Sequence, residues 1–156
     1  MKTTLRLFRL LSALVLGGSA LSALAAAPGT LTVTPSATTY SAAGGDLTLT
    51  VHLTYATPIS ALDFSITTPP GWKYVSATGP NVPQTPPQAD DFGHRGLAFV
   101  YTAMPGSPAS FSFTVSYPAG MSGSQALNHL VANFTDEATS RATPVAAADI
   151  TLTPAP

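Results

Sequence analysis

Hydrophobic and polar side chains alternate along most of this chain. The longest regular run is Leu47-Thr-Leu-Thr-Val-His-Leu-Thr-Tyr55. Leu47, Leu49, Val51, Leu53 and Tyr55 share one side of it, and Thr48, Thr50, His52 and Thr54 the other. A period of two sends one set of side chains into a core and the other into solvent, as a strand does and a helix does not. Ile59 to Ile66 repeats the pattern, with Leu62, Phe64 and Ile66 set against Ala61, Asp63 and Ser65. Pro69-Pro70-Gly71 then ends the ladder, because neither proline has an N–H to donate and glycine suits a turn. Trp72-Lys-Tyr-Val75 opens the next strand. Trp72 is the only tryptophan, and its large apolar ring makes it the expected anchor of the core.

The remaining runs follow the same rule. Thr30 to Pro35 alternates and ends in proline, which predicts an edge strand. Gly96 to Thr102 places Leu97, Phe99 and Tyr101 on one face, while Ala98 and Val100 make the other face apolar too. That predicts a central strand covered on both sides. Ala109 to Tyr117 sets Phe111, Phe113, Val115 and Tyr117 against four hydroxyl residues. Gln125 to Thr135 is a weaker strand, with Leu127, His129 and Val131 on one face and Leu130 and Phe134 on the other; Val145 to Leu152 is read as one closing strand. Residues 78–95 form a long loop whose Asn81-Val-Pro-Gln-Thr-Pro-Pro87 stretch suits an extended, unpaired path. About eight strands, separated by Gly/Pro turns and with no helical period, predict an all-β, two-sheet antiparallel sandwich of immunoglobulin-like type.

The first 25 residues do not fit that pattern. Lys2, Arg6 and Arg9 precede an apolar run from Leu10 to Leu24, and Ala23-Leu24-Ala25 has the small-x-small form of a cleavage site. This order of parts predicts a secretory signal helix, leaving residues 26–156 as the mature domain. Its removal shifts the charge: Lys73, Arg95 and Arg141 remain against seven carboxylates, a net −4 rather than the −1 of the whole chain. So few cations exclude a phosphate-binding patch, so neither nucleic acid nor an anionic lipid surface is an expected partner. No second apolar run is long enough to span a bilayer. With no cysteine, thiol catalysis, thiolate metal sites and a lipoprotein anchor are excluded as well. The expected location is secreted, outside the cytoplasmic membrane.

Gly45-Asp46 opening the strand Leu47 to Leu53, then Ala61-Leu-Asp-Phe-Ser-Ile66, then Tyr74-Val75-Ser76, resembles the run of core strands in the cohesin-like β-sandwich family. Gly96-Leu-Ala-Phe99 and Phe111-Ser-Phe-Thr-Val115 stand where that family has two further core strands. The resemblance covers roughly residues 30–152 and implies a cohesin-like jelly roll acting as a secreted, non-catalytic module. Typical members bind dockerin modules, and structural relatives bind polysaccharides. Pro69-Pro70-Gly71-Trp72 departs from the family's usual Asp/Asn-Pro turn, and no dockerin-contacting residue carries over position by position.

The candidate chemistry is sparse. Asp90 and Asp91, in a loop with Gly93, are the candidate ligands for Ca²⁺, which takes several oxygen ligands; a solvated loop is the better default for the pair, and no other cofactor is expected. Trp72, Tyr74 and Tyr101 are the candidate ligand-binding residues, because aromatic faces suit the C–H surface of a sugar; their strand positions also fit a core. Gly120-Met-Ser-Gly-Ser124 misses the nucleophile-elbow spacing, and neither His-x-His nor His-Glu-x-x-His occurs, so no catalytic role is expected. The sequence thus predicts a module that binds an extracellular protein or a polysaccharide. The alternative is a structural stalk or envelope-associated domain with no ligand of its own.

Overall fold

Each alternating run becomes a strand because its two faces meet different media. The computed structural model describes residues 28–56, 58–85, 87 and 96–156. The expected signal segment and the Asp90-Asp91 pair lie outside these residues. Ten strands follow in order: β1 (Gly29–Pro35), β2 (Thr39–Tyr40), β3 (Gly45–Tyr55), β4 (Ile59–Thr67), β5 (Lys73–Thr78), β6 (Leu97–Tyr101), β7 (Ala109–Tyr117), β8 (Gln125–Asp136), β9 (Ala142–Ala146) and β10 (Ile150–Pro154). They form a four-stranded sheet in the order β1-β3-β7-β5 and a six-stranded sheet in the order β2-β10-β8-β4-β6, with β9 also paired to β8.

The inner faces of the two sheets make one core. Leu47, Leu49, Val51, Leu53, Phe111, Phe113 and Val115 project from the first sheet, and Leu62, Phe64, Ile66, Leu97, Phe99, Leu127 and Phe134 from the second; all are buried. Four phenylalanines bridge the layers, the tightest pair being Phe99 and Phe113 with ring centroids 4.8 Å apart. Such tilted aromatic pairs add about 0.5–1.5 kcal/mol each beyond their buried area. Gly71 takes a positive φ of 83° in the Pro69-Pro70-Gly71 turn, a conformation glycine adopts without steric penalty. That turn delivers Trp72 into the core.

Four expectations change. Among the described residues the strands number ten rather than about eight, because β2 has only two residues and the 145–152 run splits between β9 and β10. β2 pairs with β10 in parallel, so the sandwich is not wholly antiparallel; a two-residue rung has no sequence period to reveal it. β6 is an edge strand, with Ala98 and Val100 exposed rather than covered. Among the described residues its outer edge receives a single bridge, from Thr85, through backbone bonds of 3.1 and 3.2 Å to Val100.

The fourth change is in β8. Ser65 pairs with Val131 but Thr67 pairs with Asn128, so two residues of β8 oppose one of β4. The bulge falls at His129, which has φ 54°, and it moves Leu130 onto the same buried face as Leu127. Val131 consequently turns to the outer face, opposite to the expected grouping with Leu127. The split between β9 and β10 lies level with this bulge. Val131 still faces Ala146 and Leu127 still faces Ile150, while Ala147 N–H donates to the Leu130 carbonyl across the gap at 2.8 Å.

Candidate functional site

The three aromatic candidates do not assemble into an open platform. Trp72 has 0% exposure, and its ring lies 5.2 Å from that of Tyr117. Tyr101 is buried at 3% exposure; its hydroxyl donates to the Asn81 carbonyl at 2.8 Å and its ring meets Phe111 edge-on. Burial, and then the neighbouring Tyr55, push the Tyr101 phenol well above the usual tyrosine range. Tyr74 is half-buried with its ring edge-on to Phe99, 6.0 Å away. Stacking on a sugar needs an open ring face, and Trp72 and Tyr101 present none in this conformation.

The polar candidates are dispersed. His52 stands on the outer face of the four-stranded sheet, beside Thr32 and Ser110 in register. His129 sits at the bulge on the opposite sheet. Asp136 closes the β8–β9 turn: its Oδ1 accepts from the Thr139 amide at 2.7 Å and the Thr139 hydroxyl at 2.8 Å. Those bonds hold its carboxyl below the ordinary aspartate value. The loop carrying Ser122 and Ser124 is tied down by Tyr40, whose hydroxyl donates to the Gly123 carbonyl at 2.6 Å. Among the described residues, no three His, Asp or Glu side chains converge to hold a metal ion, and no helix is long and apolar enough to cross a membrane.

The outer faces of the two sheets differ in kind. That of the four-stranded sheet is mostly hydroxyl, with His52, Lys73 and the exposed Val75 at the β5 bulge among its exceptions. Thr48 faces Thr114 at 3.0 Å and Thr50 faces Ser112 at 2.9 Å, and Thr30 bonds Thr54. These side chains satisfy one another within the sheet. The six-stranded sheet instead carries a polar pair among apolar neighbours. Asn133 Nδ2 donates to Asp63 Oδ1 at 2.8 Å, and both side chains are half-buried. Register places Val100 on one side of this pair and Pro144 on the other. The next row along the strands is Ala98, Ser65, Val131 and Ala146. Val100 is 40% exposed, one of two large hydrophobic residues left open among the described residues.

This patch is the candidate site, and sequence reasoning missed most of it. The alternation in β4 already sends Asp63 outward. The pairing of Asp63 with Asn133 depends on the register of strands 70 residues apart, which no local pattern states.

Two layers, an aromatic core between them and a last strand closing in parallel on β2 define a cohesin-like β-sandwich. A solved structure with this architecture is the non-cellulosomal cohesin from the hyperthermophilic archaeon Archaeoglobus fulgidus. It superposes with a TM-score of 0.51 over 79% of this chain and 89% of that one, at 15% sequence identity. At that identity the likeness is one of fold. No family model matches the chain, and no curated protein sequence matches it.

Proposed function

We propose that this chain is an exported, non-catalytic module that binds another extracellular protein through the outer face of its six-stranded sheet. One observation carries the reading: Asn133 donates to Asp63 on this face, with Val100 beside the pair and Ala98, Ser65 and Val131 in the next row. Apolar area supplies affinity once a partner covers it, and a carboxylate already held in place fixes the register of a partner's donor at low entropic cost. Strand-borne side chains are also more rigid than loop-borne ones. The closed rings of Trp72 and Tyr101 favour a protein over a polysaccharide as the ligand, and the cohesin-like fold is in keeping with a protein partner.

The test is capture from the organism's own culture supernatant on the immobilised protein. A recurring protein should be retained. Asp63→Ala and Val100→Lys should each lower its retention at least about tenfold, with the far-UV spectrum unchanged. Thr78→Lys, at the far edge of the other sheet, should leave retention intact. A retained glycan would move the module to the carbohydrate-binding class, and a folded protein that retains nothing would make it structural.

A further inference from the structure

A sheet edge exposes unpaired N–H and C=O groups, and soluble proteins guard it with charge, proline, a bulge, shortness or a covering segment. Most edges of this sandwich are guarded in one of these ways. β5 carries Lys73 and a bulge between Tyr74 and Ser76. β6 is bridged by Thr85. β2 has two residues, and β9 has Pro144 at its centre. β1 is different. Its seven residues pair with β3 in unbroken register, it carries no charged side chain, and its one proline is the last residue. Among the described residues, no strand pairs with its other edge.

We propose that β1 is a self-association edge, and that two copies of this chain join by antiparallel β1–β1 pairing about a two-fold axis at Thr32. The occupant is argued from the strand's own pattern. Pairing centred on Thr32 uses all seven residues, setting Gly29 against Pro35, Thr30 against Thr34 and Leu31 against Val33. Directly opposed residues of antiparallel strands project to the same face. The apolar pair thus stays on the inner side and the threonines on the outer. A groove lies along β1, lined by Leu31, Thr32 and Val33 and, opposite them, by residues 146–150 of the β9–β10 segment. Leu31 and Val33 of the second copy would enter beside it. β1 brings no charge to the axis, so the pairing meets no repulsion there; Asp149, exposed, lines the same groove. The outer threonines of β1 would then continue across an eight-stranded sheet, with His52 next to Thr32 in the axial row.

Thr32 is exposed, so its substitution tests the edge without disturbing the core. Sedimentation equilibrium on the protein as its cells process it should show a concentration-dependent dimer. Thr32→Lys and Thr32→Asp should each weaken it at least about tenfold, because like charges meet directly across the axis. Mixing the two variants should restore association as a heterodimer. Thr78→Lys should associate like the parent. A parent protein still monomeric at millimolar concentration would overturn the proposal. So would a dimer indifferent to both Thr32 variants, or variants that stay apart when mixed.

Discussion

Trp72 shows how closely a single side chain is tied to the fold. Its ring is fully enclosed, and its Nε1 has no hydrogen-bond partner among the described residues. Truncation to alanine should therefore lower stability by about 3–5 kcal/mol. Trp72→Phe should lower it by only about 1–2 kcal/mol, since it keeps an aromatic ring and removes an unpaired N–H. Urea unfolding followed by circular dichroism is the suitable measurement, because both variants lose the sole tryptophan. Equal losses would mean that the indole N–H matters more than the ring. At Asp136 the argument runs through protons. Its carboxylate accepts two bonds from Thr139, which depress its pKa on folding. A depressed carboxyl stabilises the fold above the ordinary aspartate pKa, and that contribution is lost as pH falls through the depressed value. Asp136→Ala should thus be less stable than the parent at neutral pH, with the gap closing as pH drops from about 4 toward 2. A gap that stays constant over that range would rule out a role for the charged form.

Among the elements, β8 carries the largest departure from simple alternation. His129 holds φ 54°, a region that penalises β-branched side chains most and glycine least. His129→Gly should change stability by less than about 1 kcal/mol, whereas His129→Val should lower it by about 1–2 kcal/mol. Chemical denaturation of the two variants separates a bulge fixed by backbone strain from one fixed by the imidazole. This strand also marks how far the sequence could be read. Thr-Leu repeats made β3 legible, because its two faces meet different media from end to end. The bulge stays hidden, since an extra residue shifts the period without leaving a turn signal, and strict alternation puts Leu127 and Leu130 on different faces. Val100 misleads for the opposite reason. An apolar residue on an outer face looks like a second core contact until the sheet order shows that, among the described residues, it is left 40% exposed. The candidate site rests on that residue and on a cross-strand pair, so its parts were visible in the sequence while their meeting was not.

Across the whole molecule, closure of the six-stranded sheet comes from β10 meeting β2. β10 pairs with β8 on one side and with β2 on the other, and Leu152 is fully buried between the sheets. The Ala155 amide reaches the Tyr40 carbonyl at 2.8 Å. Buried side chains of both sheets fill the centre of the sandwich. A calcium ion held by the Asp90-Asp91 loop would still register through mass action. At a hundred times its dissociation constant, a ligand bound only to the folded state adds about 2.7 kcal/mol, or roughly 5–15 °C in Tm for a domain of this size. The expected outcome is a melting temperature that moves by less than about 1 °C between excess chelator and millimolar Ca²⁺. If calcium instead raised Tm by several degrees, and Asp90→Asn with Asp91→Asn abolished the rise, the loop would be a calcium site. The proposed binding face on the six-stranded sheet would then share the molecule with a calcium site, and capture experiments would have to be run with the ion present.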